Sequence, residues 1–551
     1  MLSGLLGGSA GAEEVAGPVR FVPTGPEGYV RVEGRFAPRP DACPANQPKD
    51  LHAAYPGILE VGRRADGRLF LVSELSLPEY LLGIDEVPRS WPMEALKAQV
   101  VAARTYALAH LNPSTSLARE LRFNLCSTDA CQVYRGRKVE RGPWGAAWAE
   151  AVAATGGEIL EYEGKPASTF YFSTSNGQTY SNAEVFGGSP LAYLKPVAER
   201  DDSSSPLSSW QVRMPLADLA DALRRDGSWG SEEISSVVQD AGVVRLSGGG
   251  AGRSLSLKDL RGALNREAIC LVPKRYPTSG TSGRSLPQVV PSRWMGVRQE
   301  EGVVVIAGRG WGHGVGMVQW GAFGKAQRGL TYQDILASYY GGLRPLRRAE
   351  PGTIRIGLAV DLEEVRVEAI GPVEVEGAAA AEGPLFLRGG SRISIGPGPS
   401  IAPLLKLRRV SPTGPAAPGR PAVFSFELSA PANVSLAYRG PGAVEGQTSE
   451  EPREQGAQHL VWDAASGSLP GGAYELTLVA DDGVDRVASE ALSLAVAGPP
   501  PSPSPIPSPS PSTPVSPTRS PTPGPEAPTP TRSLSMGALV GLTVVAGVAA
   551  A

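Results

Sequence analysis

One carboxylate, Glu86, stands just ahead of a helix start in the run Glu86-Val-Pro-Arg-Ser-Trp-Pro-Met-Glu-Ala-Leu-Lys-Ala-Gln-Val-Val-Ala-Ala-Arg-Thr-Tyr106. A carboxyl group in an apolar or closed pocket keeps its proton at neutral pH and can act first as acid, then as base. Asp85 reinforces this by like-charge repulsion if both point inward, whereas a helix N-terminus favours the ionised form. The bland alternative is that Glu86 caps the helix. Ser90 is the expected N-cap, with Pro92 in the first turn. Leu96, Val100, Ala103 and Ala107 recur at helical spacing and predict a buried stripe. Lys97 and Arg104 share a face, and Gln99 points elsewhere, toward a cleft.

Three further blocks carry polar groups at ordered spacing. Phe170-Tyr-Phe-Ser-Thr-Ser-Asn-Gly-Gln-Thr reads as a strand, with Tyr171 and Phe172 on opposite faces and Ser173, Ser175 and Asn176 at its end. No Gly-x-Ser-x-Gly elbow with His and Asp accompanies it, which argues against a serine nucleophile. Gly308-Arg-Gly-Trp-Gly-His-Gly-Val-Gly-Met-Val-Gln-Trp-Gly has glycine at every second position to Gly316. As a strand it leaves one face bare and sets Arg309, Trp311, His313, Val315 and Met317 on the other. It lacks the Gly-Lys-Ser/Thr of a phosphate loop. Cys126-Ser-Thr-Asp-Ala-Cys131-Gln-Val-Tyr-Arg-Gly holds two of the four cysteines. No histidine lies between them, and structural zinc takes four ligands, so a disulfide loop and no metal is expected. The pairing Cys126–Cys131 with Cys43–Cys270 is the first choice, although four cysteines allow three pairings.

These four blocks, in this order, resemble the SpoIID/LytB family of bacterial proteins that act on the glycan strands of peptidoglycan. The resemblance spans roughly residues 55 to 345. It implies that Glu86 is the acid/base of a lytic transglycosylase. In that chemistry the sugar's own 6-hydroxyl is the nucleophile, so one carboxyl suffices where a hydrolase uses two. It implies substrate-binding or positioning roles for Gln99, Arg104, Gln132, Tyr134, Tyr171, Ser173, Ser175, Glu184, His313 and Gln319. No cofactor is implied. The LytB branch includes proteins that modify an amidase, so a non-catalytic wall-binding module with an amidase partner is the alternative.

The elements that must position these groups belong to a long chain. Its 551 residues exceed one core and predict several domains. The net charge of −3 gives no electrostatic case for nucleic acid, and the 67 glycines and 52 prolines favour strands and turns. The expected class is α+β: a β-rich domain with a few helices around a glycan-binding cleft, then a β-sandwich. Asp66-Gly67 predicts a hairpin, and 146–154, 215–225 and 331–340 predict helices. The expected units are a signal-peptide remnant at 1–17, the main domain at 18–350, a small β-rich extension at 351–404 and a sandwich at 405–498. A Pro/Ser/Thr-rich linker at 499–532 and an apolar anchor at 533–551 complete the chain. The sandwich, through Val461-Trp462-Asp463 and Leu469-Pro-Gly-Gly-Ala-Tyr474, resembles the immunoglobulin-like module of the flagellar hook-capping (FlgD) family. The linker reads as an extended stalk, and about 18 apolar residues make a helix of roughly 27 Å, near hydrocarbon thickness. Export, a cell-wall location and a C-terminal membrane tether are the resulting expectations.

Overall fold

The computed structural model describes residues 13–39, 48–271, 275–277, 285–378, 383–413, 420–464 and 469–497. The fold is strand-rich and mixed, as expected. Its first body is built on an 11-stranded half-barrel sheet whose hub is the 18-residue strand Thr353–Ile370. The first part of that strand pairs with Leu69–Ser76 and, in parallel, with Leu125–Cys126. Its second part pairs with Tyr29–Phe36 and Leu385–Arg388. Register shifts between Gly357 and Glu364 separate the two parts. Such bulges bend a strand and raise its twist, which lets one strand serve both ends of a curved sheet. Residues 351–404, expected as a small β-rich extension, supply the hub and three further strands of this sheet. The Asp66-Gly67 hairpin joins Ile58–Arg63 to Leu69–Ser76, with Gly67 at φ 88°.

The strand Leu69–Ser76 runs directly into the helix Leu77–Leu82, which Ser76 and Glu79 start with a reciprocal capping box. The helix Met93–Ala109 follows. Its N-cap is Pro92 with no side-chain bond, not Ser90, because Pro88 to Trp91 close a turn of their own through Trp91 N–H to Pro88 O. The predicted stripe Leu96, Val100, Ala103 and Ala107 is buried in the core beneath the sheet. Ala98, Val101 and Ala102 are buried in a second core on the other side. The helix is therefore enclosed on two sides, and its small residues admit close neighbours: the helices Gly145–Ala154, Gln319–Gln327 and Tyr332–Tyr339. Lys325 fixes the second of these. Its ammonium, nearly out of solvent, meets the Glu199 carboxylate at 2.8 Å and the Tyr339 hydroxyl at 2.9 Å.

Between the second and third motif blocks the chain makes a body with its own core, from Leu207 to Ile306. It comprises the sheet Trp210–Pro215, Val303–Gly308 and Met295–Glu300, a three-stranded meander from Ser236 to Ser256, and the helices Leu216–Arg225 and Leu257–Leu271. The last body is a two-sheet sandwich. Ala422–Leu428 and Gly472–Asp481 alternate buried and exposed positions and enclose Phe424, Leu436, Trp462, Tyr474 and Leu476. It docks on the first sheet through Asp485, whose buried carboxylate takes bonds from His52 (3.0 Å), Arg31 (2.6 Å) and the Leu404 and Leu405 amides.

Cys126–Cys131 is a disulfide with Cα atoms 5.5 Å apart. The expected partner of Cys270, Cys43, lies outside the described residues, as do 1–12 of the signal-peptide remnant, the linker and the anchor. Among the described residues no helix is long and apolar enough to cross a membrane.

Candidate active site

The short link from helix Leu77–Leu82 to helix Met93–Ala109 carries Glu86, and the segment after the disulfide loop runs beside it. Asp85 N–H donates to Val133 O at 2.9 Å, and Arg135 N–H to Gly83 O at 2.8 Å. This pairing brings Val133 N–H to Glu86 Oε1 at 2.7 Å. The disulfide loop hangs from the hub strand through Leu125–Cys126, so the donor's place is set by the sheet.

Glu86 is partly buried, and its carboxyl is pushed from the ordinary 4.5 up to about 7. Burial is the main cause. The Val133 amide and the Tyr171 hydroxyl oppose it by favouring the carboxylate, and the charges of Asp85 and Asp129 add to it. The surrounding tyrosines do not compete for the proton near neutrality, because burial raises Tyr80, Tyr106 and Tyr171 above the ordinary tyrosine value.

Five of the residues singled out in the sequence converge here. Gln319 Nε2 donates to Glu86 O at 3.2 Å and lies 3.4 Å from Gln99 Oε1. Gln99 is 1% exposed and its Nε2 has no protein partner. Gln132, fully buried, accepts from the Tyr171 hydroxyl at 2.9 Å and donates to the Tyr80 hydroxyl at 3.0 Å. Tyr134 lies behind them, stacked between Tyr55 and Tyr80, with a buried hydroxyl that has no partner. Tyr171 is brought to Glu86 by its parallel pairing with Met317, which also sets Gln319 at the start of its helix.

The side chains of the other candidates bond groups other than Glu86. Arg104 is 1% exposed and bonds Glu350 at 3.1 Å together with Thr155, Glu158 O and Val152 O, tying its helix to neighbouring segments. Ser173 bonds Thr174, and Ser175 bonds the Gly177 amide, so both organise their own turn. Glu184 is exposed and completes a capping box with Ser181. His313 is ringed by Phe170, Phe172 and Phe186, with Nδ1 accepting from Val315 N–H. Burial holds it neutral, lowered to about 4, against a bond to the Tyr171 backbone.

The alternating-glycine block is not the strand expected of it. Strand ends at Gly308 and resumes at Met317. Between them Gly310, Gly312, Gly314 and Gly316 take φ of 78°, 115°, 89° and 77°, a left-handed backbone that side chains disfavour. The loop also presses on the Tyr171 segment: a Cβ on Gly316 would sit 1.9 Å from Phe170 O. The glycines serve the loop's turns and its close fit against the strand that carries Tyr171.

Several site groups were invisible in the sequence. Val133 acts through its backbone, which no side-chain pattern reports. Tyr80 lies outside the motif blocks. Trp91, Trp320 and Phe323 form a cluster with ring centroids 5.0 to 5.3 Å apart beside the Glu86 and Gln319 segments.

Residues 65–162 match the family described as Stage II sporulation protein. The chain is similar to Stage II sporulation protein D of Bacillus subtilis (strain 168), 30% identical over 311 residues, covering 54% of this chain and 82% of that protein. It is similar to the protein of the same name from Bacillus amyloliquefaciens, 31% identical over 284 residues, covering 49% and 74%. It is also similar to the amidase enhancer of Bacillus subtilis (strain 168), 29% identical over 293 residues, covering 47% of this chain and 39% of that protein.

Proposed function

This chain belongs to the SpoIID family, whose members place it in a cell-wall role, and on that premise we propose that it cleaves peptidoglycan glycan strands as a lytic transglycosylase with Glu86 as its single acid/base. The observation that carries the reading is a carboxyl pushed to about 7. Such a group is present in both charge states at neutral pH, which suits a residue that must give a proton and then take one. Protonated Glu86 donates to the oxygen leaving the MurNAc C1 of a β-1,4 MurNAc–GlcNAc linkage. The resulting carboxylate, which accepts from Val133 N–H, then takes the proton of the same sugar's 6-hydroxyl as that oxygen bonds C1. One C–O bond breaks, one forms, and the 1,6-anhydro product carries no added water. Gln99 Nε2, buried without a protein partner, is suited to bond a sugar substituent.

The test is digestion of peptide-free glycan strands with mass analysis. Release of anhydro products by the parent and their loss in Glu86→Gln, with glycan binding retained, is the expected result. Products heavier by one water would replace transglycosylation by hydrolysis. The similarity to an amidase enhancer supports a second reading, a non-catalytic wall-binding module that stimulates an amidase. That reading stands if the parent releases no product of either kind yet raises amidase turnover. Export and a tether through 533–551, with the sandwich as an FlgD-like spacer, extend the proposal. Fractionation of full-length and truncated chains tests the tether.

A further inference from the structure

A row of aromatic rings leads away from Glu86. It starts at Tyr171, whose hydroxyl bonds Gln132, the neighbour of the Val133 amide that meets Glu86. Between ring centroids, Tyr171 lies 6.4 Å from Tyr106, Tyr106 lies 6.0 Å from Phe170, and Phe170 lies 5.1 Å from Phe186. Two histidine rings join the row: His110 stacks on Tyr106 at 4.1 Å, and His313 lies 5.3 Å from Phe186. Burial holds both imidazoles below their ordinary value, so the row carries no charge at neutral pH. Phe186 ends the row. Among the described residues it is the one phenylalanine, tyrosine or tryptophan left exposed, at 52%. A lone apolar side chain on a surface needs no explanation, but this one continues a line of half-buried rings. It is also firmly mounted. Its short helix, Asn182–Phe186, starts with the Ser181–Glu184 capping box, and Asn182 ties down the following loop through Ser189 O at 2.9 Å and Leu191 N–H at 2.8 Å. Beside it Gly187 and Gly188 leave open space, since a Cβ on either would meet nothing within 4 Å.

We propose that this row is an extended saccharide subsite: the glycan strand held at Glu86 lays its sugar faces on the rings, and Phe186 is the outermost contact. This rests on reading the Glu86 cleft as the glycan site. A sugar ring offers an apolar C–H face inside a rim of hydroxyls, and an uncharged ring can cover that face without stripping water from an ion. The row is continuous with Glu86, so a strand long enough to reach Phe186 gains contacts that a shorter one lacks. Two other occupants of an exposed ring, a lipid surface and a second copy of the chain, call for a broad apolar patch. Here Phe186 is the row's single exposed ring, and its own helix carries Glu184, exposed and held ionised by its cap. That charge opposes an anionic membrane.

The experiment is calorimetric titration of the full chain carrying Glu86→Gln, so that binding is read without cleavage, with a peptide-free glycan octasaccharide. Phe186→Leu keeps an apolar side chain but removes the ring, and should weaken binding about tenfold, the scale of one ring contact. Phe186→Tyr keeps the ring and should bind as its parent does, which separates stacking from a general disturbance of the short helix. Three results overturn the proposal: octasaccharide affinity unchanged in Phe186→Leu, an equal loss in Phe186→Tyr, or no binding to the chain with Phe186 intact. So does a Phe186→Leu chain that leaves phosphatidylglycerol vesicles, or that falls from dimer to monomer, with its glycan affinity intact. The two readings fail separately. Ring-dependent binding in a chain whose parent releases no anhydro product removes the transglycosylase reading alone, and anhydro release with Phe186→Leu binding unchanged removes the subsite alone.

Discussion

Replacing Glu86 by glutamine should stabilise the protein while abolishing its proposed chemistry, and the stabilisation should depend on pH in a defined way. The folded chain holds the Glu86 proton up to about 7, whereas an unfolded glutamate releases it near 4.5. Between those values the folded state binds more protons, so stability falls as pH rises. The contribution of the protonated group is complete below the unfolded value and is lost as pH climbs through the folded one. The interval corresponds to about 3 kcal/mol above neutrality. Glutamine cannot ionise, yet its oxygen can still accept from Val133 N–H and its amide can face Tyr171. The Glu86→Gln variant and the parent should therefore unfold alike near pH 4 and diverge to about 3 kcal/mol at pH 8, the variant being the more stable. Guanidinium unfolding followed by tryptophan fluorescence measures this. Of nine tryptophans only Trp462 lies in the sandwich, so the signal reports chiefly on the bodies that hold the site. A difference that does not change with pH, or a variant less stable than the parent at pH 8, refutes the assignment of a raised carboxyl at Glu86.

Arg104→Ala leaves Glu350 without its cation and several buried acceptors without a donor; a loss of about 3 kcal/mol is expected, seen as a lower denaturation midpoint, with glycan affinity unchanged in the folded fraction. Gly316→Ala places a methyl 1.9 Å from Phe170 O on a backbone at φ 77°, so soluble yield should collapse, whereas Gly329→Ala, also at positive φ but in open space, should lose only about 1 kcal/mol. For Asp485, burial raises the carboxyl, but bonds from His52 and the Leu405 and Leu404 amides outweigh it and draw the group down to about 2. Its contribution to docking the sandwich is present above the ordinary 3.8 and is lost as pH falls through about 2; Asp485→Asn should forfeit about 2 kcal/mol at neutral pH, seen as faster proteolysis between the bodies.

What the sequence disclosed follows from which forces it records. Periodicity reports burial, so the stripe Leu96, Val100, Ala103 and Ala107 and the alternation of Ala422–Leu428 were legible. Paired cysteines five apart gave the loop that sets Val133. The strand Thr353–Ile370 looks like the opening of a new β unit, yet it closes a sheet begun more than 300 residues earlier, and such long-range pairing leaves no local mark. The body around Trp210 and Ile306 escaped for the same reason, since its boundary strands meet only in space.

The candidate residues divide along the same line. A buried arginine, a capping glutamate and a neutral histidine look like chemistry in one dimension because they are polar and sit in motifs. In three dimensions Arg104 spends its guanidinium on neighbouring segments, Glu184 its carboxylate on its own helix start, and His313 its Nδ1 on the amide two residues further along its own loop. Glu86 differs because its environment is incompletely compensated: one amide, one tyrosine and two nearby like charges leave burial in command. Glu184, a capping glutamate, has two donors from Ser181 and stays exposed, so burial does not offset them and it sits below 4.5. On the proposed reading the same residue type is a cap in one place and a proton donor in the other, and what separates the two is burial, which only the fold reveals: each carboxylate has two donors, but Glu184 is exposed and Glu86 is not.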